Sequence, residues 1–201
     1  MHKQIISNIE STVLNYKIIG LLVSGGFDST LVSYLVHDAR ARLNTDNIFE
    51  YFTVPRYDDS VIHANRIIDF IDDKFNVVSS IRHIVGDPDL HHSQQVRSGI
   101  RDVLNKYEYI NVLLVGDNVT PTELPGGPPR GKSNQPKIYQ PVHEYTKDVL
   151  VQIAMDMNLI EIMKITHTCT ESKTLRCNLC WQCRERAWAF NKCNYTDPGT
   201  M

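Results

Sequence analysis

The sequence predicts an α/β fold, a parallel sheet with helices packed on both faces. Two observations carry this. Short unbroken apolar runs, such as Ile18-Ile19-Gly20-Leu21-Leu22-Val23 and Val112-Leu113-Leu114-Val115, suit strands buried on both sides. Longer segments with apolar residues at three- and four-residue spacing alternate with those runs, as right-handed βαβ units require.

Taken in order, residues 4–16 read as an amphipathic helix through Ile5, Ile6, Ile9 and Val13, and residues 18–23 as the first strand. Ser24-Gly25-Gly26 ends that strand, and a helix follows from about Asp28, with Leu31, Leu35, Ala39 and Leu43 four residues apart. Ile48 to Val54 is the second strand, and 58–74 the next helix through Val61, Ala64, Ile67, Ile68 and Ile71. Val77 to Val85 is a third strand, 93–106 a helix, and Val112 to Asp117 the fourth strand. From Asn118 to Gln140 the pattern dissolves into a Pro- and Gly-rich loop, of a length that usually marks function. Helix returns at about Thr146 to Met157. A short strand is expected at Ile160–Ile165 and a closing helix near Arg184–Asn191.

Composition narrows the class. The 201 residues are 42% hydrophobic and 22% charged, as in a globular domain large enough for its own core. Twenty-one basic residues stand against 23 acidic ones, a balance unlike that of proteins that grip a nucleic-acid backbone, so no direct nucleic-acid partner is expected. No apolar run approaches a membrane span, and the N-terminal stretch lacks the unbroken apolar core of a signal peptide. The expected location is cytoplasmic, and there five cysteines read as ligands or free thiols rather than disulfides.

The loop Ser24-Gly25-Gly26-Phe27-Asp28-Ser29-Thr30 lies between an apolar strand and a helix. Glycines let a backbone approach a ligand closely, and the N-terminus of the helix that follows favours an anion. Ser24, Ser29 and Thr30 add hydroxyl donors. No Lys closes the loop, so it is not the G-x-x-x-x-G-K-[ST] cradle, and it is not G-x-G-x-x-G either.

Cys169, Cys177, Cys180 and Cys183 form C-x7-C-x2-C-x2-C. That spacing lets four thiolates close a structural tetrahedral Zn²⁺ site, one ion per chain, with an iron–sulfur cluster as the rival. Cys193 stands ten residues beyond, as a bystander thiol.

Ser-Gly-Gly-x-Asp-Ser after the first strand resembles the pyrophosphate loop of the N-type ATP pyrophosphatases (PP-loop enzymes). With it, the C-terminal stretch from Thr166 to Phe190, THTCTESKTLRCNLCWQCRERAWAF, resembles the 7-cyano-7-deazaguanine synthase (QueC-like) family. Between the two, Gln140-Pro141-Val142-His143-Glu144-Tyr145-Thr146-Lys147 is similar to the family's Pro…Thr-Lys stretch opening a helix. The resemblance implies a Rossmann-like sheet of the adenine nucleotide alpha hydrolase (HUP-like) type. It divides the chain into an ATP-binding domain over 1–165 and a zinc-binding segment over 166–201 packed on the same domain. Ser24, Gly25, Gly26, Phe27, Asp28, Ser29 and Thr30 would hold ATP, with Asp28 near Mg²⁺, and Ser24, Asp28, Ser29 and Lys147 would carry the activation chemistry.

The implied reaction is ATP-dependent conversion of 7-carboxy-7-deazaguanine with ammonia to the 7-cyano base, releasing AMP and pyrophosphate. The partners are then a small-molecule carboxylate and ammonia, with a homodimer expected because family members often dimerise. Phe27 stands where the family usually has Leu, and the segments after the second and fourth strands also differ from it. Within the second of these, Asp117 and Glu123 can meet a guanine-like N–H edge, and Arg130 a substrate carboxylate. These differences leave open a variant that stops at the amide or adenylates another carboxylate. A tRNA thiolase on the same loop would need redox cysteines beyond a structural four, and only Cys193 is left. A reading of another class is an idle nucleotide-binding scaffold or decoy.

Overall fold

The computed structural model describes residues 2–78, 80–90 and 92–199. Five strands, β1 (Ile18–Leu22), β2 (Ile48–Thr53), β3 (Ile81–Ile84), β4 (Val112–Val115) and β5 (Ile138–Tyr139), form one wholly parallel sheet in the order β3-β2-β1-β4-β5. Among the described residues seven helices surround it: α1 (His2–Asn15), α2 (Phe27–Leu43), α3 (Ser60–Phe75), α4 (His92–Lys106), α5 (Lys147–Asp156), α6 (Ile160–Ile165) and α7 (Trp181–Lys192). Strand order reverses between β1 and β4, which pair with Gly20 opposite Leu113 and Leu22 opposite Val115. That reversal opens the crevice where α/β sheets bind ligands.

Period-two alternation along each central strand divides the core. Ile19, Leu21, Phe49, Tyr51, Val112 and Leu114 face a large cluster completed by α1, α2, α3, α5, α6 and α7. Phe52, Val54, Leu113 and Val115 face a smaller cluster with Val103 of α4. The two helical layers are thus unequal, and much of the second face lies open for a cavity. Ala189 and Phe190 of α7 are buried in the larger cluster, so the cysteine-bearing segment shares the core of the sheet. Among the described residues, no helix is long and apolar enough to cross a membrane.

The structure departs from the sequence reading at several elements. Residues 160–165 form helix α6, not a strand; its buried side chains Ile162 and Met163, with Leu159 before them, have helical spacing. A six-residue apolar run does not by itself distinguish the two states. The loop expected over 118–140 contains β5, whose two residues are too few to leave a pattern. Strand β3 is limited to four residues at an exposed edge, α7 starts three residues early, and β4 ends at Val115.

Candidate functional site

The glycine loop joins β1 to α2 at the point where strand order reverses. Gly25 has φ +75, and a Cβ there would stand 2.4 Å from His63 Cβ, so only glycine fits both the turn and the neighbouring helix. Gly116, just past β4, comes against the same turn, since its Cβ would lie 2.6 Å from Ser29 Cα. The loop is bound internally. Ser24 Oγ and Ser29 Oγ are 3.2 Å apart, and the Thr30 hydroxyl donates to Gly26 O at 2.7 Å. Phe27 packs edge-on against Phe190. Thr30 and Phe27 are buried and shape the loop, while Ser24, Gly26, Phe27, Asp28 and Ser29 line a cavity of about 240 Å³.

Lys147 opens α5 from the other side of this cavity. It is fully buried, with Nζ 3.1 Å from Asp28 Oδ2 and 2.8 Å from Glu185 Oε2. Arg130 grips the same Glu185 with two parallel hydrogen bonds of 2.8 and 3.0 Å, the fork geometry that makes such pairs strong. Asn118 accepts from Arg130 at 2.6 Å, and Asp117 Oδ1 lies 3.7 Å from its Nε. The sequence-derived residues Asp28, Asp117, Arg130 and Lys147 therefore converge in one network. Glu123 lies apart, exposed and paired with Lys192.

Electrostatics follow from burial and partners. Burial works against the Lys147 ammonium, but Asp28 and Glu185 outweigh it and hold its pKa above the usual lysine range. Glu185 is likewise penalised by burial, yet Lys147 and Arg130 hold it below the ordinary carboxylate value. Asp28 moves upward because desolvation exceeds the pull of Lys147. Its Oδ1 is buried with no hydrogen-bond partner, an acceptor that a divalent cation would satisfy. Asp117 is raised by burial against the opposing Arg130. Sequence reasoning missed Glu185 and Asn118. Glu185 reads as one charge among several on a polar helix, and the cations that make it buried lie 55 and 38 residues earlier.

A second cavity of about 580 Å³ adjoins the first. Leu22, Val54, Val96, Ile100, Val115 and Ile138 give it an aliphatic lining. Arg97, Asp117, Arg130, Ser133 and Gln140 give it a polar rim. Arg56 and Arg97 were not anticipated either. Arg56 pairs with Asp58 at 2.7 Å, and Arg97 is exposed on α4.

The four cysteine sulfurs of Cys169, Cys177, Cys180 and Cys183 lie within 4.8 Å of one another and can hold a metal ion. Four thiolates at about 2.3 Å from a tetrahedral ion stand roughly 3.8 Å apart, so the donor set fits one ion with little movement. The backbone N–H groups of Cys180 and Leu179 donate to Cys177 Sγ and lower its thiol pKa to about 7. Two stacked imidazoles, His63 and His167 with centroids 4.0 Å apart, link this segment to the glycine loop, and His167 N donates to Gly25 O. Cys193 lies apart, bonded to Asp148 O.

An open parallel sheet of this order, with a Ser-Gly-Gly-x-Asp-Ser loop at its switch point, defines the class: a Rossmann-like α/β fold. Within it, the model of the family described as "Queuosine biosynthesis protein QueC" matches residues 123–194. Among solved structures, U34-tRNA thiolase NcsA from Methanococcus maripaludis, described with its [4Fe-4S] cluster, is similar at 14% identity and a TM-score of 0.51. The match covers 78% of this chain, which spans 65% of the thiolase. NAD+ synthetase from Burkholderia pseudomallei is similar at 16% identity and a TM-score of 0.51, over 86% of this chain and 71% of that one. These likenesses show the shared fold. No curated protein matches.

Proposed function

We propose that the protein is an ATP-dependent ligase that adenylates a 7-deazaguanine carboxylate and replaces the adenylate with ammonia. The single observation behind this reading is the junction of two halves. The glycine loop meets Lys147 in one cavity, and Glu185, buried outside its lining, holds Lys147 there; both lie within the stretch that the QueC model matches.

In the proposed first step, a carboxylate oxygen of 7-carboxy-7-deazaguanine attacks the α-phosphorus of ATP and pyrophosphate leaves. Ammonia then attacks the acyl carbon, AMP leaves, and an amide forms. In a second activation the amide oxygen attacks the α-phosphorus of another ATP and pyrophosphate leaves; loss of AMP and the two amide protons then gives the nitrile. Such displacements need alignment and charge neutralisation more than a protein nucleophile. Lys147, kept charged by its two carboxylates, faces the leaving phosphates, while Ser24 and Ser29 offer hydroxyls to them. Asp28, through its free Oδ1, would hold Mg²⁺, which neutralises phosphate charge. The four cysteines would hold one Zn²⁺ as a structural staple. Their close-set sulfurs favour a single ion over a cluster, since a cube of four irons spreads its ligands wider.

One observation favours a changed acceptor as the second reading. The Arg130 fork is already engaged by Glu185, so a substrate carboxylate would have to compete for it.

The test is release of AMP and pyrophosphate from Mg-ATP and ammonium, with and without 7-carboxy-7-deazaguanine, with mass spectrometry of the base. Acid-dependent AMP with a nitrile supports the reading, and an amide marks the shortened variant. A folded, metal-loaded sample that forms no AMP refutes the acceptor.

A further inference from the structure

Among the described residues, every cation facing the smaller cavity is already paired with a carboxylate: Lys147 with Asp28 and Glu185, Arg130 with Glu185, and Arg56 with Asp58. A bound triphosphate brings several negative charges, so uncharged donors matter more here than in a cavity with free lysines. The part of the cavity wall next to the glycine loop supplies them. It comes from the cysteine-tied segment, through Thr168, Thr170 and Gln182.

Existing hydrogen bonds decide which protons are available. Thr168 Oγ1 accepts from Arg186 Nη1 at 3.1 Å, which uses one lone pair and leaves its O–H to donate. The guanidinium behind it is fully buried, and its positive field polarises that hydroxyl outward. Gln182 Oε1 accepts from the Thr170 hydroxyl at 3.2 Å, which fixes the amide and leaves its NH₂ without a hydrogen-bond partner among the described residues. Two oriented neutral donors therefore line the cavity together with Ser24 and Ser29.

Resting on the reading of this cavity as an ATP site, we propose that Thr168 and Gln182 form a second phosphate-binding wall. This wall grips the β- and γ-phosphates, and the pyrophosphate they become, against the glycine loop. The metal-tied segment is then part of the nucleotide site as well as a staple, and it discriminates between nucleotides that carry pyrophosphate and AMP.

The experiment is calorimetric titration of Mg-ATP, Mg-pyrophosphate and AMP into the metal-loaded full chain and into Thr168→Val, Thr168→Ser and Gln182→Ala, with metal content measured for each. A hydrogen bond to a charged group is worth enough for roughly a tenfold or larger change in Kd. Thr168→Val and Gln182→Ala are expected to weaken ATP and pyrophosphate by about that factor and leave AMP unchanged, while Thr168→Ser binds like the parent. Unchanged pyrophosphate affinity in both variants overturns the proposal. So does equal weakening of all three ligands, which would assign the residues to cavity shape. A parent chain that binds neither ATP nor pyrophosphate instead refutes the nucleotide reading itself, and the wall with it.

Discussion

Lys147 and Glu185 set the character of the site at the scale of single residues. A fully buried ammonium between two carboxylates keeps its charge and position without a ligand, which is the preorganisation that phosphoryl chemistry rewards. Lys147→Ala removes that charge and is expected to lower acid-dependent AMP formation by about 10²-fold or more in a steady-state assay, with the fold intact by circular dichroism. Gly25→Ala meets both a positive φ and the His63 backbone, so it costs about 2 kcal/mol or more in urea unfolding and abolishes ATP binding. His37 is a stability reporter away from the site. Its ring is buried against the Tyr51 hydroxyl, and burial lowers its pKa from 6.5 to about 3. Above pH 6.5 the ring is neutral in both the folded and the unfolded state. Below that, the unfolded chain takes up a proton that the folded one refuses. Stability therefore falls as pH drops from 6.5 towards 3, with a contribution approaching about 1.4 kcal/mol per unit. Urea melts at several pH values test this, since His37→Gln removes its part of the slope.

At the scale of elements, α7 links the cysteine segment, the buried charge network and the C-terminal strap. Arg186 is fully buried, donates to Thr166, Thr168 and Met163 O, and is neutralised by Asp197, which Arg176 also grips. Removing one partner of such a pair strands the other charge, so Asp197→Ala is expected to cost about 3 kcal/mol in urea unfolding. A cost below about 1 kcal/mol would show that the strap is solvated in solution. The Pro- and Gly-rich loop after β4 is held by equally specific contacts. A Cβ on Gly127 would lie 2.6 Å from the Trp181 ring, so the loop rests on the residue beside Cys180. Element by element, the helices with strong apolar stripes and the central strands were legible in the sequence. The short pieces were not, because α6 and β5 are defined by what they pack or pair with rather than by their own pattern.

For the whole molecule, the cysteine cluster, the α7 network and the glycine loop form one connected body through His63, His167 and Gly25. Stripping the metal with a chelator is expected to release one ion per chain, lower the melting temperature and weaken ATP binding together. A stripped chain that binds ATP as tightly as before would separate the staple from the site. Elemental analysis of the same sample decides between zinc and iron.

What the sequence determined by itself was local and chemical. It specified the α/β class from apolar periodicity, the glycine- and hydroxyl-rich turn between strand and helix, and, from cysteine spacing, a donor set that can hold a metal ion. Tertiary structure alone decided which distant charges meet. Glu185 has no local signal because its burial depends on Arg130 and Lys147, and Arg130 reads as a free cation until its carboxylate partner is seen. The physical reason is that periodicity records which face of an element is buried. Charge pairing depends instead on which faces the sheet order brings together.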